Sequence, residues 1–377
     1  MSKYVIVPDS FKGRLSSQRV CRIVAEAVRA VEPESEICTI PVADGGEGTV
    51  ETFLTALSGK LVSVPCHGPY GEAHTGFYGL LPDGTAVVEM AAAAGLPLVG
   101  RRRDPEKTTT YGVGEIIDAA VKNGAKRLVL GLGGSATNDG GCGAAAALGV
   151  RFLNEQGVPF IPTGGTLHKV VHIDTRGLLP ELKRIPVAAM CDIDNPLCGA
   201  NGAAAVFGPQ KGADENMVQR LDEGLYRLAW AIQTDLGLDV LHLPGDGAAG
   251  GMGAGSVAFF GAQLQMGIEA VLDVARFDTL AADADLVVTR EGRLDGQSLR
   301  GKVVEGVARR AKKLCVPVAA LVGGCQGDWR GVYRKGVAGV FPICTEPMTL
   351  EQAMGRSEEN LRMTAENMLR FALAMKN

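Results

Sequence analysis

Eight short apolar runs rich in β-branched residues punctuate this chain: Tyr4 to Val7, Ile37 to Ile40, Ala86 to Met90, Leu128 to Leu132, Val187 to Met190, Leu286 to Thr289, Val318 to Val322 and Val337 to Ile343. Amphipathic helical patterns stand between many of them. Val20, Ile23, Val24, Ala27, Val28 and Val31 recur at helix spacing behind Ser16 as N-cap, with Leu15 and Val20 placed as a hydrophobic staple. Val218, Leu221, Leu225, Leu228 and Ile232 mark a second helix, opened by Asp214 and closed near Gly237. Thr349 and Gln352 have capping-box spacing before one long C-terminal helix through Leu361, Met368 and Leu369. Strand–helix alternation of this kind builds parallel sheets, so the expected class is α/β.

Polar and glycine residues collect just past the carboxyl ends of these runs, the edge at which open α/β sheets bind ligands. Four stretches stand out: Ala43 to Thr49, Gly133 to Gly141, Pro244 to Gly253 and Thr289 to Ser298. Glycine is 51 of 377 residues, about twice ordinary usage. It permits close backbone approach and left-handed dihedrals, successive amides form anion-binding concavities, and Asp or Glu supply hard oxygens for Mg²⁺. The combination points to a nucleotide-dependent phosphotransferase.

The length exceeds what one core usually serves, so two domains are expected. The segment from 60 to 284 opens with Gly- and Pro-rich hairpin-like sequence (His67 to Gly71, Leu81 to Gly84). It reads as an inserted α/β domain carrying the Gly-rich loops, with residues 1–59 and 285–377 forming a discontinuous first domain and the active site in the cleft between the two. A net charge of −4 argues against a nucleic-acid partner. No run of 18 apolar residues exists, which argues against a membrane span. The N-terminus reads as a first strand rather than a secretory signal. Nine cysteines without a Cys-x-x-Cys pair suit reduced thiols and a cytoplasmic location, with Cys142, Cys191 and Cys198 read as small buried filler.

Each motif has two readings. Gly133, Gly134, Ser135, Thr137, Asn138 and Asp139 lie between a strand and an Ala-rich helix from Cys142 to Leu148, the geometry that captures phosphate at a helix N-terminus. The competing reading is a tight turn capped by Asn and Asp. Asp44, Gly45 and Gly46 open a helix, where Asp44 holds metal or a hydroxyl, or caps the helix with Glu47 as its partner. Glu291 and Asp295 flank Arg293, a pattern suited to Mg²⁺ plus phosphate and equally to a structural ion pair. Lys302 stands at a helix start within reach of the same phosphates. Asp192 is a strand-end carboxylate placed for a general base, or an Asx turn before Pro196. Lys211, in Gly208 to Ala213, binds phosphate or is a solvated loop lysine. Asp9, Ser10 and Lys12 follow the first strand. Arg101 to Arg103 reads as a solvated turn, and none of the five histidines has a partner signature.

Taken together, PDSFK at 8–12, PVADGGEGT at 41–49, GGSATNDGG at 133–141, FGPQKGA at 207–213, GAAGGMGA at 247–254 and EGRLDGQS at 291–298 closely resemble the bacterial glycerate kinase family, in order along nearly the whole chain. The resemblance implies ATP-dependent phosphorylation of D-glycerate, commonly to 2-phosphoglycerate, and a flavodoxin-like first domain. Two positions depart from the family pattern: Arg290, where Gly is usual, and Val113, where Thr is usual. In the mechanism this implies, Gly133 to Gly141 with Gly250 and Gly251 cradle phosphates or the substrate carboxylate. Glu291 and Asp295 hold Mg²⁺, while Arg293, Lys211 and Lys12 offset transition-state charge. Asp192 orients or deprotonates the attacking hydroxyl, with Asp44 as the other contender. Regiochemistry at the 3-hydroxyl, another small hydroxy or sugar acid, and the oligomeric state, a homodimer included, stay open. A dehydrogenase is disfavoured because no Gly-x-Gly-x-x-Gly follows the first strand. A two-domain solute-binding protein is disfavoured by so many clustered carboxylates.

Overall fold

The computed structural model describes residues 1–9, 15–43, 45–295 and 302–375. Two compact units emerge, one of Met1–Ala43 with Ile268–Asn377, the other of Asp44–Gly267. The sequence reading draws its boundaries at 59/60 and 284/285. The compact units divide earlier at both places: helix Thr49–Leu57 packs on strands Ala73–Leu80 and Thr85–Glu89 of the second unit, and Ile268 and Glu269 lie against Gly306 and Arg309 of the first.

The first unit holds a five-stranded, all-parallel sheet. Its central strand is Lys3–Pro8, flanked by Glu36–Thr39 on one side and Leu286–Glu291 on the other, with Val318–Val322 and Val337–Pro342 beyond. Numbered along this unit the order is 2-1-3-4-5, the flavodoxin-like arrangement, whose ligands sit where strand order reverses between the first and third strands. Helix Ser17–Val31 starts as its sequence requires, with the Ser16 side chain accepting from the Arg19 N–H. It buries Val20, Ile23, Val24, Ala27 and Val28 against Leu361, Ala365, Met368 and Leu369. Five such side chains contribute on the order of 10 kcal/mol of apolar burial.

The C-terminal segment differs from the single long helix expected. The Thr349–Gln352 capping box forms, but it opens only Leu350–Gly355, and a second helix, Ser357–Ala374, follows. Arg356 leaves helical geometry between them at φ −101° and ψ 14°, where its guanidinium pairs with Glu346 and Glu359.

The second unit is built on a six-stranded sheet. Thr85–Glu89, Arg127–Gly131, Val187–Met190 and Gln263–Gln265 run parallel, and the hairpin Lys60–His67/Ala73–Leu80 adds two antiparallel strands beside Thr85–Glu89. A small antiparallel sheet, Arg151–Leu153, Pro159–Phe160 and His172–Asp174, completes it. Helix Glu215–Leu236 is capped by the Asp214 side chain on the Met217 N–H and ends at Gly237 with φ 73°, the left-handed stop that glycine allows. All nine cysteines are free. No helix among the described residues is long and apolar enough to cross a membrane.

Candidate functional site

The second unit gathers three of the four glycine-rich stretches at the carboxyl end of its sheet. Glu89, Gly131 and Met190 end adjacent parallel strands, with Glu89 opposite Gly131 and Gly131 opposite Met190. Gly45, at φ +79°, lies over that edge. A Cβ added there would stand 3.1 Å from the Met190 Cβ, and one added to Gly133 would stand 2.7 Å from the Gly46 Cα. The Gly133 N–H donates to the Gly45 carbonyl at 2.9 Å. Glycine here is a requirement of contact, since only bare backbone lets the 45–49 and 131–134 turns touch. Gly133 is half-buried and Gly134 exposed, so the turn is open to solvent there.

Helix Thr49–Leu57 begins later than the Asp44–Glu47 capping pattern suggests, and its N-cap, Gly48, offers no side chain. The buried carboxylate of Glu89 substitutes, accepting the Val50 N–H at 2.5 Å. An anion at a helix N-terminus is favoured by the unsatisfied amides and the dipole. Burial nonetheless pushes the Glu89 carboxyl above its ordinary value, against the lowering effect of the Val50 and Gly48 amides. Asp44 itself lies outside the described residues, as do Ser10 and Lys12.

The turn at 133–141 is fixed by Asp139. Fully buried, it accepts the Thr110 N–H at 2.7 Å, the Thr110 hydroxyl at 2.8 Å, the Gly141 N–H at 3.1 Å and the Gly143 N–H at 3.2 Å. With both oxygens engaged, Asp139 holds the loop's shape. The helix after it spans Cys142–Ala147. Val113 belongs to the apolar core beside Ile116 and Ile117, so its methyls pack where a hydroxyl would have needed a partner, while Thr110 supplies the hydroxyl that Asp139 uses.

Lys211 is not the solvated loop lysine that one reading allows. It is 2% exposed, and its ammonium donates to the Ser135 hydroxyl at 2.9 Å and the Thr137 carbonyl at 2.6 Å. Two of its three N–H groups are therefore taken by the 133–141 loop. Burial pulls its pKa down to about 7, with Asp139 acting in the opposite direction. Charge and loop are thus assembled together.

The stretch from 244 to 253 closes on the same loop. Ala249, Gly250 and Gly251 are all left-handed, with φ of 54°, 69° and 88°, before the regular helix resumes. Gly250 lies flat on the Thr137–Asn138 backbone, where a Cβ would meet the Thr137 carbonyl at 2.0 Å, and the Gly140 N–H donates to the Gly250 carbonyl at 3.1 Å. Gly250 and Gly251 are buried, so their glycines serve loop-on-loop packing. Asp192, past the end of Val187–Met190, is exposed and accepts the Gly267 N–H at 2.7 Å.

The first unit carries the remaining candidates at its strand-order reversal. Asp9 follows Pro8, and Glu291 ends the neighbouring strand, 5% exposed. The Lys302 ammonium stands 3.7 Å from Glu291, and the Arg293 guanidinium 3.7 Å from Asp295. Arg290 is buried in its strand and donates to the Asp9 carbonyl at 3.4 Å. Burial pulls its pKa down to about 9, against Asp9 and Glu291. Among the described residues no three His, Cys, Asp or Glu side chains gather as a metal cage. Two carboxylates completed by phosphate and water oxygens are how Mg²⁺ is commonly held, and Glu291 with Asp295 fit that pattern.

The model of the glycerate kinase family matches residues 4–373. The chain belongs to that family. It is 48% identical to a glycerate kinase of Bacillus cereus, over 97% of this chain and 96% of the relative. It is 43% identical to glycerate 2-kinase of Escherichia coli, over 100% and 99%. A crystal structure assigned to glycerate kinase 2 of Salmonella typhimurium LT2 superposes with a TM-score of 0.83 at 44% identity, covering 100% of this chain and 98% of that one. The glycerate kinase family is a family of phosphotransferases acting on an alcohol group, with ATP as the implied donor. Two buried carboxyls in this member, Glu89 and Asp246, escape a sequence search for sites. Glu89 is hidden in an apolar strand pattern. Asp246 is the one acid inside the Pro244–Gly253 glycine run, and that was its only available signal.

Proposed function

We propose that this chain transfers the γ-phosphoryl group of ATP to the 2-hydroxyl of D-glycerate, giving 2-phosphoglycerate. The observation that carries the reading is the buried Lys211 ammonium clasped by Ser135 and Thr137 within loops whose glycines meet backbone to backbone. Phosphoryl transfer rests on positioning and charge neutralisation, and a preorganised cation in a water-poor loop supplies both.

Amides of Gly45, Gly46 and Gly134, with the Ser135 and Thr137 hydroxyls and the Asn138 amide, bind phosphate or the organic acid, while Gly133, whose N–H donates to Gly45, ties the two turns together. Asp139, Gly250 and Gly251 keep those groups in place. Asp192, exposed and oriented by Gly267, takes the proton of the attacking hydroxyl, with Asp44 the other carboxylate for that role. Glu291 and Asp295 would hold Mg²⁺, which when bound neutralises charge on the phosphate oxygens. On the first unit, we assign Asp9, Ser10, Lys12 and Lys302 to binding phosphate or substrate, and Arg293 to offsetting charge that spreads in the transition state. A cytoplasmic enzyme fits this substrate pair.

Phosphorus NMR of the product formed from D-glycerate and ATP tests the assignment. A 2-phosphoglycerate signal is expected. A 3-phosphoglycerate signal would reverse the regiochemistry, and no phosphorylated acid would end the proposal.

A further inference from the structure

The arginine run at 101–103, which reads in the sequence as a solvated turn, has a second role at its last residue. Arg103 is exposed, yet it grips the residues on either side of Lys211. Its guanidinium donates to the Gln210 carbonyl at 2.9 Å, while its Nε donates to the Gly100 carbonyl at 3.3 Å and folds the side chain onto its own turn. On the other side Gly212, at φ +100°, lies flush on Arg103. A Cβ there would stand 2.5 Å from the Arg103 carbonyl and 2.6 Å from the Arg103 Cβ, a closeness that glycine alone permits. The chain then runs from Arg103 into the loop that receives the ammonium. The Thr108 hydroxyl donates to the Ala136 carbonyl at 2.9 Å, and Thr110 donates to Asp139 at 2.7 and 2.8 Å. Between them, Glu106 pairs at 2.7 Å with Arg220, on the helix that follows the Lys211 turn. Lys211 and Thr137 are 74 residues apart in sequence, and residues 103–110 touch the elements that carry both.

We infer, on the role given to Lys211 above, that Arg103 is a positioning residue for phosphoryl transfer, holding Gln210 and Gly212 so that the Lys211 ammonium stays seated in the 133–141 loop. The planar guanidinium suits this task because two of its donors reach two carbonyls at once, which a lysine cannot reproduce. A small displacement of a charge-bearing group is costly when catalysis rests on position. It also has a signature in pH. Burial holds the Lys211 pKa at about 7, with Asp139 on the receiving loop acting in the opposite direction. A loosened turn admits water, and the pKa then moves back toward 10.5. Turnover at neutral pH should fall, while its decline on the alkaline side moves to higher pH.

The kcat profile of the full-length protein from pH 6 to 10, at saturating D-glycerate and Mg–ATP, tests this. Arg103→Ala is expected to lower kcat roughly 10-fold at pH 6 to 7, the scale of one charge-assisted hydrogen bond. Its alkaline limb should move up by about one pH unit, with the circular dichroism of a folded protein. Arg103→Lys should fall between Arg103→Ala and wild type. Arg101→Ala removes the same charge two residues away and should keep the wild-type profile. A matching shift in Arg101→Ala would make the effect one of bulk charge and overturn the positioning role. So would an unchanged profile in Arg103→Ala, or a rate loss equal at every pH. Lys211→Met should abolish the limb. A limb that persists there, or a wild-type profile without one, would remove the roles of Lys211 and Arg103 together.

Discussion

Lys211 allows a quantitative test of how its unit is organised. Its pKa falls from 10.5 to about 7, and that difference corresponds to ~5 kcal/mol between the two protonation states. The sign follows from proton linkage. Between pH 7 and 10.5 the unfolded chain holds the proton on this lysine and the folded chain does not, so its contribution makes stability rise with pH across that window. Below pH 7 both states are protonated, and the full cost of burying the charge is present. Lys211→Met removes the titrating group while keeping most of the volume, though it strands the Thr137 carbonyl that the ammonium held at 2.6 Å. Urea denaturation of both proteins, followed by circular dichroism from pH 6 to 10, should therefore give curves that are not parallel. The stability of Lys211→Met relative to wild type is expected to be highest at pH 6. It should then decline by about 1.4 kcal/mol per pH unit above pH 7, some 4 kcal/mol by pH 10. The variant's kcat should fall by roughly 10²- to 10³-fold at pH 6 to 7, where the ammonium carries its charge, as for other single groups aimed at developing charge, and by progressively less as the pH rises above 7 and the wild-type lysine loses its proton. Parallel stability curves would show that Lys211 does not titrate inside this window, and unchanged turnover would separate it from the reaction.

Three further perturbations address the neighbouring loops. Gly250→Ala would drive a Cβ to 2.0 Å from the Thr137 carbonyl at a φ of +69°. A loss of at least ~3 kcal/mol is expected, read as a fall in melting temperature of roughly 6–12 °C; a wild-type melt would refute the close packing. Glu89→Ala strands the Val50 N–H that the carboxylate accepts at 2.5 Å, costing about 1–3 kcal/mol. Faster hydrogen exchange at Val50 than in wild type is the expected signature. Asp192→Asn should lower kcat by ~10²–10⁴ with the KM for ATP little changed, and wild-type turnover would exclude Asp192 as the base.

Much of this was legible in the residues because the signals were local. Ser16, Asp214, Gly237 and the Thr349–Gln352 pair act on backbone within four residues of themselves, and each caps its helix as the pattern requires. Strand runs such as Val187–Met190 and Val318–Val322 were continuous and apolar, as strands buried on both faces must be. What stayed hidden was decided by distant partners. Helix Thr49–Leu57 starts where Glu89, 39 residues on, supplies the cap. The break at Arg356 arises beside an ion pair with Glu346 that no helix periodicity encodes. Whether Lys211 was solvated or buried depended on Ser135 and Thr137, more than 70 residues earlier. The short sheet of Arg151–Leu153, Pro159–Phe160 and His172–Asp174 has strands of two or three residues, too brief for alternation to register.

The strand order of the first unit has a bearing on biosynthesis. Lys3–Pro8 is made some 280 residues before Leu286–Glu291, the strand that covers one of its two sides. At about 5–20 residues per second that interval is roughly 15–60 s, during which one long side of a mostly apolar strand has no native neighbour. Asp44–Gly267, by contrast, is one uninterrupted stretch that can reach its native contacts while its flanking partner is still incomplete. Nascent chains truncated before residue 286 should accordingly protect the middle segment from protease and leave the N-terminal forty residues open to chaperone capture.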